Sequence, residues 1–295
     1  MATMTPQELA DCLYDKTEPE HNIAALEHRQ RLIQAWSIPQ GSSILEIGPG
    51  QGDFTVCLAD AVGPTGKVVA VDPAPLDWGT PSYATSRAFV MASPLGPRIE
   101  FVKEDPIKYL ESLPNDIKSF DFIAFCHSIW YFSHPSILPS MLSASKNRIG
   151  AALIGEYSMS TTQPAAVPHV LTALAANAIE AFRGEESERN IRAALTPAQM
   201  EKCADETGWS LSTQQLITPG SKQLDAFREV HMVVYGRDFD SDLNAVPVDD
   251  KIKVMLRGMR DAVTRSVQDV PGGTEGVRNM DVWVARFEPK AEETQ

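Results

Sequence analysis

Positive charge is in short supply in this chain. Its 295 residues hold 26 Lys and Arg against 39 Asp and Glu, a formal net charge of −13 at pH 7 and a pI near 4.9. No cluster of Lys or Arg is longer than a pair. Nucleic-acid binding is dominated by phosphate neutralisation, so no nucleic-acid partner is expected. Cysteine is equally sparse. Cys12, Cys57, Cys126 and Cys203 lie far apart with no C-x-x-C spacing, which indicates neither a zinc site nor a disulfide framework, and no metal is expected. Cys126 reads as a small apolar filler rather than a nucleophile. No apolar run approaches the length of a membrane span, and the acidic start lacks a basic-then-apolar signal segment. The expected setting is cytoplasmic, with no membrane partner. What the chain has in quantity is hydrophobic residues, 43% of the total, enough for a full core.

One stretch dominates the rest: Ser43 to Ile47, an apolar run, followed by Gly48, Pro49, Gly50, Gln51 and Gly52. The run reads as a strand, and the residues after Gly52 read as the start of a helix. Glycines at alternate positions reach backbone conformations closed to other residues and let a ligand touch the main chain. The following helix adds unpaired N–H groups that face the ligand. A nucleotide-like ligand fits such a loop; a bare tight turn is the alternative. The dinucleotide fingerprint G-x-G-x-x-G wants glycine where this chain has Asp53. A carboxylate there repels a pyrophosphate and is tolerated by a ligand without phosphate. Glu46, at the strand end, is placed to meet a cationic amino-acid moiety.

An acidic residue followed by G-x-G-x-G resembles the first motif of the class I S-adenosylmethionine (SAM)-dependent methyltransferases. Three further landmarks follow in order. The run from Gly66 to Val71 reads as a buried parallel strand ending in Asp72 and Pro73, 20 residues past Gly52. An acid there can accept both hydroxyls of a ribose, the role the resemblance implies; a turn former before Pro73 is the alternative. A second strand ends at Glu104, Asp105 and Pro106, where the family sets a carboxylate or amide against adenine; a plain helix start is the other reading, and the two are compatible. Phe120 to His127 looks like the family's fourth strand, whose end lies beside the methyl donor and acceptor. The resemblance thus implies SAM as cofactor, with contacts at Glu46, Gly48, Pro49, Gly50, Gln51, Gly52, Asp72, Pro73, Glu104, Asp105, Pro106 and His127. Related proteins close an N-terminal segment over SAM, which adds Tyr14, ahead of the first helix with His21 and before His28.

The expected fold is α/β, a seven-stranded, mostly parallel, doubly wound sheet with helical lid insertions. Strands are expected at 43–47, 67–71, 98–103, 120–126 and 149–156, with helices at 52–61, 82–94, 106–112 and 135–145 between them. A single domain over 1–295 is expected. It divides into an N-terminal helical cap (1–40), a SAM-binding core (41–160), a lid insertion (161–205), last sheet strands (206–218 and 279–288) and a second insertion (219–278). Glu20 to Trp36 has helical spacing, and Val170 to Phe182 is an apolar, alanine-rich helix. Thr196, Pro197 and Gly208 mark the cap, first turn and stop of another helix. Trp209 to Ile217 reads as the sixth strand and Met280 to Phe287 as a last antiparallel one. Leu224 to Tyr235 reads as either strand or helix, 249–268 as a clear helix, and only the tail after Glu288 as disordered.

Methyl transfer from a sulfonium needs alignment, exclusion of water and at most one base. His127 is the candidate base; a scaffold ring or cofactor contact is the alternative. Trp130 and Tyr131 on the same loop suit stacking on a flat acceptor or clamping of an amine, or core packing. Glu156, ending the fifth strand beside Tyr157, is a candidate base or amine partner, or a salt-bridged residue. The catalytic candidates are therefore His127, Tyr131 and Glu156. His231 and Tyr235 share a face if their segment is helical. The reading is a SAM-dependent methyltransferase acting on a small, natural-product-like molecule of secondary metabolism, with a homodimer allowed. The alternatives are a SAM-binding protein that cyclises rather than methylates, a protein methyltransferase and a non-catalytic subunit with a relic site.

Overall fold

The computed structural model describes residues 3–115, 117–184, 187–236 and 238–291. Apolar residues alternate between two buried layers along the first strand, β1 (Ser43–Ile47), where Ile44 belongs to one hydrophobic cluster and Leu45 and Ile47 to the other. The same period of two holds in β2 (Lys67–Val71), with Val68 on one face and Val69 and Val71 on the other. A strand buried on both faces must be apolar throughout, which is why these runs are continuous rather than alternating with polar residues. They alternate with helices. In order, α1 (Pro6–Asp11) and α2 (Pro19–Trp36) precede β1, α3 (Asp53–Ala61) precedes β2, and α4 (Tyr83–Met91) precedes β3 (Ile99–Val102). Next come α5 (Pro106–Ser112), β4 (Phe120–Cys126), α6 (Ile137–Ser145) and β5 (Ile149–Tyr157). The remainder is α7 (Val167–Glu180), α8 (Pro197–Glu206), β6 (Trp209–Ile217), α9 (Asp225–Tyr235), α10 (Asp238–Ala245), α11 (Asp250–Gln268) and β7 (Val282–Pro289).

The seven strands form one sheet in the order β3-β2-β1-β4-β5-β7-β6. β1 to β5 are parallel, and β7 runs antiparallel between β5 and β6. Strand order reverses between β1 and β4, so a crevice opens at their carboxyl ends. That is the expected sheet, with the last strand where the sequence placed it. Two indoles tie helices to it: Trp36 Nε1 donates to the Ala285 carbonyl (3.0 Å) and Trp209 Nε1 to that of Leu142 (2.9 Å).

Several segments differ from expectation. α1 and α10 carry no clear period in the sequence; α1 is set by a Thr5–Glu8 capping box and packs on α2. The ambiguous 224–235 segment is helical, with Ala226, Val230 and Val233 buried on one side. Within the region read as a lid, α8 lies instead on the sheet, where Met200 and Ala204 join the cluster of Leu142 and Trp209. β7 extends to Pro289, and of the tail read as disordered, residues 292–295 lie outside the described residues. α7, α9, α10 and α11 share a third apolar cluster of their own, which includes Ile179, Val230, Leu243, Leu256 and Val263.

Candidate active site

The loop after β1 turns on three left-handed glycines, with φ of 74° at Gly48, 53° at Gly50 and 98° at Gly52. A Cβ at Gly48 would stand 2.9 Å from that of Ser128, whereas one at Gly50 would meet nothing within 4 Å. Gly48 is therefore glycine for close approach of two loops, and Gly50 for its backbone angle beside open space. That space is a cavity of about 760 Å³ at the carboxyl ends of the strands, lined by Gly48, Pro49, Gly50, Asp72, Pro73, Asp105, Pro106 and His127 among others.

The acids at the strand tips are all held. Asp72, 6% exposed, accepts from the Ala74 amide (2.9 Å) and pairs with Arg87 Nη2 (2.8 Å); Arg87 also donates to the Gly50 carbonyl (2.9 Å) and lies over the Tyr83 ring. Asp105 Oδ1 caps α5, taking the amides of Ile107 (2.9 Å) and Lys108 (3.0 Å), so the helix-start reading is realised while the residue still lines the cavity. Glu46 is 2% exposed with Oε2 lacking a partner, and burial pushes its carboxyl up to about 8. It lies outside the cavity lining, as do Gln51, Gly52 and Glu104. Gln51 donates to the Pro81 carbonyl (2.8 Å), Gly52 starts α3, and Glu104 accepts the Asp105 amide (3.0 Å). Tyr14 is not brought to the cavity either. α1 folds back so that the Met4 amide reaches Asp60 (3.0 Å), and the following Tyr14 ring meets Phe89 edge-on, half exposed.

Across the crevice, β4 ends at His127, itself left-handed with φ 49°. Its Nδ1 lies 3.4 Å from Glu156 Oε1, close enough for charge interaction though without a hydrogen bond. Glu156 is 1% exposed and already occupied, taking the amides of Ile129 (3.0 Å) and Tyr157 (3.0 Å). It thereby fixes the loop after β4 while still lining the cavity, where it was expected as a base, an amine partner or a salt-bridged residue. The Tyr157 ring lies 4.6 Å from that of His127, and Tyr131, half exposed, also lines the cavity. Trp130 is buried, its indole bonded to the Leu195 carbonyl (3.1 Å). Burial pushes the Cys126 thiol well above its ordinary range, in keeping with a filler. His231 and Tyr235 do share a face, with rings 5.1 Å apart, but outside the cavity.

Sequence reasoning did not single out several cavity residues. Arg29 pairs with Asp53, the carboxylate that replaces the dinucleotide glycine, and both line the cavity. His28, 3% exposed, has no partner for either ring nitrogen, and burial holds it down to about 2, hence neutral. Asp225 and Glu229 arrive from α9. Their four-residue spacing is a signal only once that segment is known to be helical. Among the described residues no group of His, Cys, Asp and Glu suits a metal ion, and no helix is long and apolar enough to cross a membrane.

Residues 15–76 match the sequence model of the protein-L-isoaspartate(D-aspartate) O-methyltransferases, a stretch that includes α2, β1, the glycine loop and β2. Along most of its length the chain is 25% identical to methyltransferase phomM' of Diaporthe leptostromiformis, covering 92% of this chain and 86% of that one. Its fold is that of a cyclopropane-fatty-acyl-phospholipid synthase-like protein from Lactobacillus casei (TM-score 0.81, 21% identity, 96% and 98% covered). The [4+2]-cyclase SpnF shares it more loosely (TM-score 0.51, 12% identity, 90% and 81% covered).

Proposed function

We infer that this class I SAM-dependent methyltransferase transfers the methyl group to a small molecule held inside the cavity. The observation that carries the reading is the volume and lining of one half-open cavity. A space of about 760 Å³ has the glycine loop and strand-tip acids on one side and residues of α9 and of the 187–192 segment on the other. Such a volume suits a cofactor with a small acceptor, and the wall from α9 leaves a protein substrate little surface to dock on.

The residues present fit the cofactor. Gly50 bares main chain to the cavity, Asp72 keeps a lone pair on each oxygen beyond those given to Ala74 and Arg87, and Asp105 has Oδ2 free of the helix cap. Gly48 to Gly50 would hold the amino-acid end, Asp72 the ribose and Asp105 the adenine. Glu46, outside the cavity lining, is kept largely uncharged by burial and makes no contact with that space. When bound, SAM supplies a methyl group already activated by its sulfonium. His127 accepts the acceptor's proton at Nε2, because Glu156 Oε1, 3.4 Å from Nδ1, favours the tautomer with its proton on Nδ1. Glu156 positions His127 by pinning the Ile129 amide, and Tyr131 borders the acceptor space.

The test is incubation of the purified protein with methyl-labelled SAM and a metabolite extract. Label in a small-molecule fraction together with S-adenosylhomocysteine is expected; release of neither refutes the reading. His127→Ala should slow turnover about 100-fold or more at unchanged SAM affinity. A loss confined to SAM affinity would make His127 a cofactor contact.

A further inference from the structure

The acceptor side of the cavity holds two carboxylates, Asp225 and Glu229, that form no ion pair with Lys or Arg among the described residues. Asp225 and Glu229 stand one helical turn apart on α9 and both line the space. Glu229 Oε2 lies 3.0 Å from Nε2 of His169, a fully buried ring whose Nδ1 accepts the Met280 amide (3.0 Å). A ring nitrogen that accepts an N–H carries no proton, so His169 is the neutral Nε2–H tautomer. It orients Glu229 and leaves its charge uncancelled. Asp225 Oδ2 accepts from Asn279 Nδ2 (3.0 Å), again a neutral donor. Burial alone would raise the Asp225 carboxyl, yet the Asn279 hydrogen bond and nearby positive charge bring it below its ordinary value, so it is ionised.

Among the described residues, the arginines on the same cavity make their ion pairs and hydrogen bonds elsewhere, although Arg29 is near enough to lower the Asp225 carboxyl. Arg29 is on Asp53, Arg189 is on Asp242 (2.8 Å), and Arg192 donates to the carbonyls of Ser187 and Tyr131. Carboxylates confined in a low-dielectric wall are costly until a cation reaches them. Two further observations point to a ligand. His28 and Ser128, 3% and 5% exposed, line the cavity with their side-chain nitrogens and hydroxyl unpartnered. Glu229 also borders a side chamber of about 170 Å³ with an apolar wall of Ile179, Met232, Val233 and Phe239 and a charged rim that includes Glu180, Arg189 and Asp242.

We propose that Asp225 and Glu229 seat a positively charged nitrogen of the acceptor while the side chamber takes an apolar arm, so that the acceptor is an amine bearing a hydrophobic substituent. This rests on the reading of the cavity as a joint cofactor and acceptor space. The carboxylates set specificity, and His127 keeps its separate role.

Calorimetry on the full chain tests it, with S-adenosylhomocysteine saturating. Benzylamine, 2-phenylethylamine and tryptamine are each compared with their uncharged N-acetyl forms. The amines should bind about tenfold tighter or more, as charge-assisted hydrogen bonds predict. In Asp225→Asn/Glu229→Gln that preference should vanish while S-adenosylhomocysteine affinity holds. Glu229→Gln alone, measured in case the double variant fails to fold, should lose part of it. Equal or undetectable binding of amine and amide by the native protein overturns the proposal, as does a preference that survives the double variant. Loss of S-adenosylhomocysteine affinity in the variant would assign the acids to the cofactor and overturn it too. Failure of the native protein to bind S-adenosylhomocysteine would instead sink the methyltransferase site itself.

Discussion

Glu46 is a carboxyl whose ionisation the fold suppresses. Its folded value of about 8 lies above the ordinary 4.5, so the folded state holds a proton that the unfolded chain releases first. The resulting stability is full below pH 4.5 and is lost as pH rises toward 8, on the order of a few kcal/mol. Glu46→Gln should flatten that decline in thermal unfolding measured across the window. Asp72 poses a different question, since Arg87 already claims one of its oxygens. Asp72→Asn keeps the shape but removes the charge, and should weaken SAM binding by about 1–3 kcal/mol. Unchanged affinity in a titration would refute its contact with ribose. The same variant should also melt earlier, because it leaves the buried Arg87 without its counter-ion.

Helix α8 shows what a well-signalled element looks like. Thr196 Oγ1 takes the Gln199 amide, the Gln199 side chain returns to the Thr196 amide (2.9 Å), and Pro197 sits in the first turn. Thr196→Ala should lower stability by about 0.5–2 kcal/mol in denaturant unfolding, with no change in SAM affinity. Elements with such punctuation or with two-faced apolar burial were legible in the sequence: β1, β2, β4, α5 and β6 fall where the pattern put them. So did the glycine loop and the acids after β2 and β3, because each depends on residues adjacent in the chain. The rest depends on contacts far apart. α9 was ambiguous because Val230, Met232 and Val234 alternate as in a strand while Ala226, Val230 and Val233 have helical spacing, and only its partners α7 and α11 choose the helix. His28 opposite His127, Arg87 on Asp72 and His169 on Glu229 join segments whose pairing no local motif records. The place of Tyr14, against Phe89, was illegible for the same reason: where an N-terminal segment lands is decided by the surface it packs on.

At the scale of the molecule, three apolar clusters divide the labour. Two sandwich the sheet, and the third joins α7 with α9, α10 and α11, of which α9 brings Asp225 and Glu229 to the cavity wall. The wall is therefore mounted on its own small core, and can differ from relatives without disturbing the strands that form the crevice. What links this core to the sheet is β7. It enters directly after the acceptor-side helices, and its register pairs Tyr157 and Ile217 alike with Val282. Without it, β5 has an open edge and β6 no neighbour. A chain truncated before Met280 should accumulate in inclusion bodies, whereas one ending after Lys290 should be recovered at native yield by size-exclusion chromatography. On the ribosome the same geometry delays sheet closure until β7 has followed α9, α10 and α11. The nascent protein must carry an unzipped β5 and a stranded β6 through synthesis of the whole acceptor wall, and quality control by chaperones would find its target at that seam.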